Sequence, residues 1–443
     1  MFLKAVRILG ITCLLLSVAA AQEQKSQWKD RAEFDMFQDM AKEPDPNKKL
    51  EKIKAWQAKY PESNFKKEGL TLTVNAYAQL GKFPELISTA QQILAIDPLD
   101  VTSLYWITSM TPKLNNTSPE ALDTGEKAAS KLVDDADKVF AADRKPPGST
   151  DEQWKKARAD MEVLGLKTLG WIAMSRKDNE KAEGMFKRAL EKNPNDGEIA
   201  YWMYTVIRAM KKAERSSDAL FYLARAATLP QDKGGLPNAN RKQVDDFFVK
   251  AYTSYHGQDD AGLKELRQLA MEKAIPPSGF VIKTAAQIAF DKEEQFKKSN
   301  PQLAYWMHLK KELTGENGEQ FFESMKDALL PGKIPDTEYD KLKGKIVSMK
   351  PAVNPKELVL LLDTDQSAAG SAGEVTLKLD TALKGRAEPD TEVQFKGVAK
   401  AFTKDPFMLT FEVQKDDLDG WPALPAPTPA KKATRRAPVH RKR

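Results

Sequence analysis

The sequence predicts a mainly α protein: an α-solenoid of antiparallel helix pairs followed by a small all-β domain. Two observations predict it. From residue 22 to about 335, apolar residues recur at spacings of three and four, and Pro or Gly interrupts the pattern at roughly even intervals, as in "YPES" at 60, "QLGKF" at 79, "AIDPLD" at 95, "KNPND" at 192 and "AIPPSG" at 274. From about residue 341 the period changes to two. Even punctuation of a helical pattern marks a supersecondary unit repeated in series, and 443 residues are too many for one ordinary core.

The chain begins with Lys4 and Arg7, an apolar run over 8–18, and Ala19 and Ala21 at a small-x-small cleavage spacing. Residues 1–21 therefore read as a signal peptide, and the product is expected to be exported, periplasmic or secreted. The apolar run is shorter than the ~20 residues of a membrane span, so no transmembrane segment is expected after cleavage. Cys13 is the single cysteine. A cleaved chain then has no thiol, which excludes disulfides, thiolate metal sites and cysteine nucleophiles.

Residues 22–338 are assigned to helix pairs. The stretch "LKTLGWIAMSRKDNEKAEGMFKRALEKNPND" (166–196) places small residues where two helices would touch. Gly170 and Ala182 fall at the closest approach of an antiparallel pair, Phe186 follows at a fixed offset on the second helix, Ala189 faces the following helix, and Pro194 stops the second helix. A second copy, "LTLTVNAYAQLGKFPELISTAQQILAIDPLD" (70–100), keeps Leu70, Tyr77, Gly81, Phe83, Ala90 and Pro98, with Val74 and Leu86 in place of smaller residues. The segments starting at Glu33 and Val244 also read as helix pairs. A Tyr-Trp dipeptide recurs at 105–106, 201–202 and 305–306, close to three times a 34-residue period.

These spacings resemble the tetratricopeptide repeat (TPR). The resemblance implies a superhelix whose concave face is lined by the first helix of each pair, and a non-catalytic role in binding proteins or peptides. In that register Lys167, Trp171, Met174 and Ser175 project from one first helix, and Thr71, Asn75, Ala78 and Gln79 from another. Asn75, Gln79, Lys167, Trp171 and Ser175 are the candidate groove residues, since aromatic and cationic anchors dominate many interfaces. The competing reading packs the same residues against neighbouring repeats.

Residues 339–416 form the β domain, OB-like or a sandwich, with runs at 344–349, 357–363, 374–380, 391–399 and 407–413 and with Gly344 and Gly397 where strands could bend. Its aromatics, Phe395, Phe402, Phe407 and Phe411, are few for a stacking surface, and export further disfavours nucleic acid as a partner. Residues 417–443 read as a disordered Pro/Ala/Lys/Arg-rich tail; from Trp421 onward it holds seven Lys or Arg and no carboxylate, within a chain of net charge +6. Such a tail suits an anionic envelope surface or serves as a solubilising segment. The function expected is an exported, non-catalytic scaffold. The alternatives are a cell-wall or polysaccharide-binding accessory acting through the β domain and tail, and single-stranded nucleic-acid binding by an OB-like domain.

Three histidines, His256, His308 and His440, occur in no metal-binding or triad spacing, so no metal, cofactor or catalytic site is expected. Asp134-Asp135 and Asp245-Asp246 are adjacent pairs that diverge on a helix. The loop "QSAAGSAGE" (366–374) lacks the lysine of a phosphate-binding loop and reads as a strand connection.

Overall fold

The computed structural model describes residues 27–362 and 373–422; the expected leader, most of the 366–374 loop and all of the chain beyond Pro422 lie outside the described residues. The chain divides into two compact units between Ala285 and Ala286.

The first unit is a TPR-like series of helix pairs: α1 (Arg31–Lys42) with α2 (Pro46–Lys59), α3 (Lys66–Leu80) with α4 (Phe83–Ile96), α5 (Val101–Leu114) with α6 (Pro119–Asp134), α7 (Asp151–Ser175) with α8 (Asn179–Lys192), α9 (Gly197–Ala209) with α10 (Ser216–Thr228), and α11 (Asn238–His256) followed by α12 (Asp260–Glu272). Through α10 each helix packs on the next in sequence, and α11 and α12 both pack on α10. Starts are set by short polar caps. Asp45 accepts from the Asn47 and Lys48 amides ahead of Pro46, Ser118 caps α6 ahead of Pro119, and Thr150 and Gln153 form a capping box on α7. Four first helices, α3, α5, α7 and α9, end alike, with a left-handed residue just past the last turn: Gly81 (φ 67°), Asn115 (φ 49°), Lys177 (φ 65°) and Lys211 (φ 56°).

The small-residue code at 166–196 is visible in the packing, with one change. A Cβ on Gly170 would sit 2.4 Å from Cε1 of Phe186, so Gly170 makes room for the Phe186 ring rather than for Ala182. Ala182, Phe186 and Ala189 are all fully buried. On the other side of α7, a Cβ on Gly165 would lie 2.9 Å from the Ala129 carbonyl of α6. Helix α8 ends at Lys192, two residues before Pro194. The Pro194 carbonyl accepts a 2.5 Å bond from Nη2 of the buried Arg225. That guanidinium also donates to the carbonyls of Ala270 and Lys273 at the end of α12. One side chain thus ties the segment just past α8 to the C-terminal end of α12, where the last carbonyls have no partner in their own helix.

The second unit begins earlier than the 338/339 boundary expected from periodicity. Helices α13 (Ala285–Ser299), α14 (Pro301–Thr314) and α15 (Gly318–Met325) precede the sheet, and Trp306, Leu309, Leu313, Phe322 and Met325 share one core with it. A helical period shows that one face is buried and does not show what buries it. Trp306 donates from Nε1 to Glu374 at 3.0 Å, and Lys310 pairs with the same carboxylate, which fixes α14 on the strands.

The strands are β1 (Leu329–Leu330), β2 (Leu342–Lys350), β3 (Glu357–Leu361), β4 (Val375–Leu379), β5 (Glu392–Phe395), β6 (Gly397–Lys404), β7 (Phe407–Val413) and β8 (Leu418–Asp419). They form one curled sheet of eight strands in the order β1-β6-β7-β4-β3-β2-β5-β8, antiparallel except for β4 beside β7. A sandwich needs two sheets and an OB barrel has five strands, so the arrangement matches neither expectation. The run expected at 391–399 is split at Lys396: β5 pairs with β2 and β8, while β6 pairs with β7 and β1. Gly397 permits that crossing, because a Cβ there would lie 2.6 Å from Cγ2 of Val413. The unit also runs past 416: Leu418 pairs with Phe395, and Nε1 of Trp421 donates to the Lys384 carbonyl at 2.9 Å.

Candidate binding surface on the first helices

The expected groove residues divide into those that hold the array together and those left at its surface. Trp171 is 5% exposed and packs with Leu122 of α6 and Ile172, so it is a core residue and not a groove anchor. Lys167 bonds Asp196 and Glu198 at 2.8 Å each, and its ammonium lies 5.3 Å over the Trp202 ring. Burial would lower its pKa, but the two carboxylates outweigh burial and raise it. Asp196 is the residue that caps α9. The same device occurs one hundred residues earlier, where Lys67 of α3 bonds Asp97 and the α5 cap Asp100 at 2.7 and 3.1 Å. Lys167 is therefore a tie between successive first helices, and its charge is spent inside the array.

Ser175 turns back to the Trp171 carbonyl at 2.9 Å. Asn75 is half-buried and Gln79 exposed on α3, separated by the whole of α5 and α7 from the aromatic residues described next. The structure therefore does not gather the five candidates into one site. Of the Tyr-Trp dipeptides, the first two lie on α5 and α9, and the third lies in the second unit, where Trp306 is fully buried under the sheet.

A better cluster sits on α9 and α11. Helix α9 has two faces. Ile199, Ala200, Met203, Val206 and Ile207 are buried, while Tyr201, Tyr204, Thr205 and Arg208 fall on the opposite side at i, i+3, i+4 and i+7. Tyr201 is 39% exposed, and its ring centroid is 6.3 Å from that of Tyr204. Phe247 of α11 is 47% exposed and meets Tyr204 edge-on at 5.9 Å. These separations suit rings that form one continuous apolar strip. Partial burial raises the Tyr204 phenol above its ordinary value, opposed by the Arg208 guanidinium beside it. Sequence reading noted Tyr201 only as part of a dipeptide and missed Tyr204, Arg208 and Phe247. The available signal was the second, exposed stripe on α9, which a core helix with one buried face does not need.

Two hollows adjoin the helices. One, of about 300 Å³, lies at the α9–α10 turn, lined by Arg208, Lys211, Lys212 and Arg215 together with Ile207 and Ala219. The other, of about 520 Å³, lies among α4, α5 and α6 and is lined by Pro84, Ile87, Ile107 and Leu114, with Glu120 as its one charged residue. Among the described residues no group of His, Cys, Asp or Glu is arranged to hold a metal ion, and no helix is long and apolar enough to cross a membrane. On the sheet, Phe395 and Phe411 are fully buried, Phe402 packs on Phe322 at 4.9 Å, and Phe407 packs on Trp306 at 5.9 Å. All four phenylalanines that could have stacked on bases are engaged within the second unit.

No protein-family model matches the chain, and no curated protein matches it. Among solved structures it is similar to a tetratricopeptide repeat protein from Parabacteroides merdae, at 15% identity and a TM-score of 0.28, over 54% of this chain and 99% of that one. It is also similar to PilF of Pseudomonas aeruginosa, at 15% identity and a TM-score of 0.23, over 59% of this chain and 97% of that one. At these scores the repeat character is read from the chain's own helix pairs, and the binding surface from its own exposed rings.

Proposed function

We propose that the protein is an exported, non-catalytic scaffold in the cell envelope or outside the cell, and that it binds a segment of another protein along the first helices of its array. The observation that carries the binding role is the strip of Tyr201, Tyr204 and Phe247, three rings on two neighbouring first helices, of which Tyr201 and Phe247 are exposed and Tyr204 is half-buried between them. Large exposed rings cost solubility and are enriched where partners dock. Rigid aromatic anchors also lose little side-chain entropy on binding. Export is supported by the leader at 1–21, with its two basic residues, apolar run and small-residue cleavage spacing.

The test is selection of peptides from a display library on the full chain, followed by measurement of the enriched peptides against Tyr204→Ala and Phe247→Ala. Peptides that bind the parent and lose ~10-fold or more in affinity to either variant support the reading, since central aromatic anchors carry about 1–2 kcal/mol or more. Enriched peptides that ignore both substitutions refute it.

A further inference from the structure

The chemistry of the partner follows from what lies at the end of the aromatic strip. Arg208 belongs to two features at once: it stands beside Tyr204, and it lines the hollow of about 300 Å³ at the α9–α10 turn. The charged residues that line this hollow are all cations: Arg208, Lys211, Lys212 and Arg215. Two of these are neutralised from nearby. Arg215 bonds Glu183 and Asp218 at 2.7 Å each, and Lys212 bonds the exposed Glu180 at 3.0 Å. Arg208 and Lys211 have no carboxylate partner among the described residues. Across the strip on α11, Asp246 is held by Lys242 at 3.0 Å and Lys250 is exposed, so that side adds no excess negative charge. Two cations with no ion-pair partner among the described residues therefore stand at one end of a partly exposed apolar strip.

We propose that this surface takes an acidic peptide segment, with an aromatic or aliphatic side chain against Tyr204 and Phe247 and side-chain carboxylates at Arg208 and Lys211. The inference rests on the scaffold reading and adds the charge of the ligand to it. The rings supply the contact area. The cations supply discrimination, because a neutral or basic segment in the same pose leaves Arg208 and Lys211 facing water or like charge. Arg208 can also hold a carboxylate with two parallel N–H donors, which fixes the direction of the segment along α9.

The experiment is fluorescence anisotropy of the full chain with three short labelled peptides that share the same Phe and Leu positions and carry Glu, Gln or Lys at every other position. The Glu peptide is expected to bind ~10-fold or more tighter than the Gln peptide at low ionic strength, with the difference shrinking as salt is added. The double variant R208E/K211E should erase that preference. Phe247→Ala should weaken both peptides. Thermal melts of each variant establish that the helices are intact. Equal binding of the Glu and Gln peptides, stronger binding of the Lys peptide, or a preference that survives R208E/K211E overturns the acidic-ligand proposal and leaves the aromatic reading standing. Glu-peptide binding that inorganic phosphate at matched ionic strength abolishes, and that Phe247→Ala does not change, overturns it in favour of a small-anion site. Failure of all three peptides to bind, or binding indifferent to both Phe247→Ala and the charge reversal, overturns both readings.

Discussion

Two glycines on adjoining helices should respond to the same substitution with opposite sign. Gly170 is in the interior of α7 and Gly184 in that of α8. Replacing either with Ala gains about 1 kcal/mol of helix propensity. At Gly184 nothing lies within 4 Å of the new methyl, so the gain stands alone. At Gly170 the methyl would lie 2.4 and 2.5 Å from Cε1 and Cδ1 of Phe186. Carbon atoms prefer to be ~3.5 Å or more apart, so the ring must retreat by about 1 Å. Phe186 is fully buried, so a displaced ring must push on its neighbours, and overpacking should cost ~1–3 kcal/mol. The difference between the two variants is then the overpacking term itself, about 1–3 kcal/mol in favour of Gly184→Ala, and Gly170→Leu should cost more than Gly170→Ala. Urea unfolding followed by far-ultraviolet circular dichroism measures it. Adding Phe186→Leu to Gly170→Ala should recover part of the loss, a coupling that a double-mutant cycle reads directly. If Gly170→Ala and Gly184→Ala stabilise equally, the close contact of α7 with Phe186 does not exist and the register of the best repeat is wrong.

Three other perturbations test separate parts of the structure. Arg225→Met should destabilise the first unit by about 1–3 kcal/mol for each carbonyl among Pro194, Ala270 and Lys273 left without a donor, and Arg225→Lys should not restore it because an ammonium cannot span the same carbonyls. Asp97 has a pKa of about 2: burial acts to raise it, but hydrogen bonds from Lys67 and Arg144 win and pull it below its ordinary value of 3.8. A carboxylate with a depressed folded pKa contributes stability that is complete above the unfolded value, so acid should remove this contribution progressively between about pH 4 and pH 2, and Asp97→Asn should flatten that part of the stability profile. Lys177→Gly should stabilise by ~1 kcal/mol or less, because Lys177 holds φ at 65°, a region glycine enters without a Cβ clash.

What could be read in advance depended on whether the signal was local. Sterics within one helix pair are local, so the burial of Ala182, Phe186 and Ala189 could be anticipated, while the partner of Gly170 and the stop before Pro194 could not; the central strands were legible because their alternation depends only on the sheet having one buried face. The remaining helix pairs were harder to see because the small residue that admits a neighbour moves around the helix. In α6 it is Gly125, where a Cβ would lie 2.5 Å from Oγ1 of Thr111. Boundaries and groove residues failed for a different reason. Trp171 carries the same amphipathic signal whether or not Leu122 of α6 covers it, and α14 has the same period on a sheet as on another helix. The ion pair of Lys167 joins residues about thirty positions apart, and no pattern within one helix announces it. The aromatic strip was missed because Tyr204 and Phe247 become neighbours only once α9 and α11 are placed side by side.

The central claim is that partners dock on the first helices α9 and α11. Amide hydrogen exchange of the full chain, measured with and without a peptide selected on it, tests that most directly. The account predicts slower exchange in peptides covering 197–216 and 238–256, with little change around the hollow lined by Pro84, Ile107 and Leu114 or in the strands over 342–413. Protection confined to that hollow or to the sheet, with α9 and α11 unchanged, would contradict it.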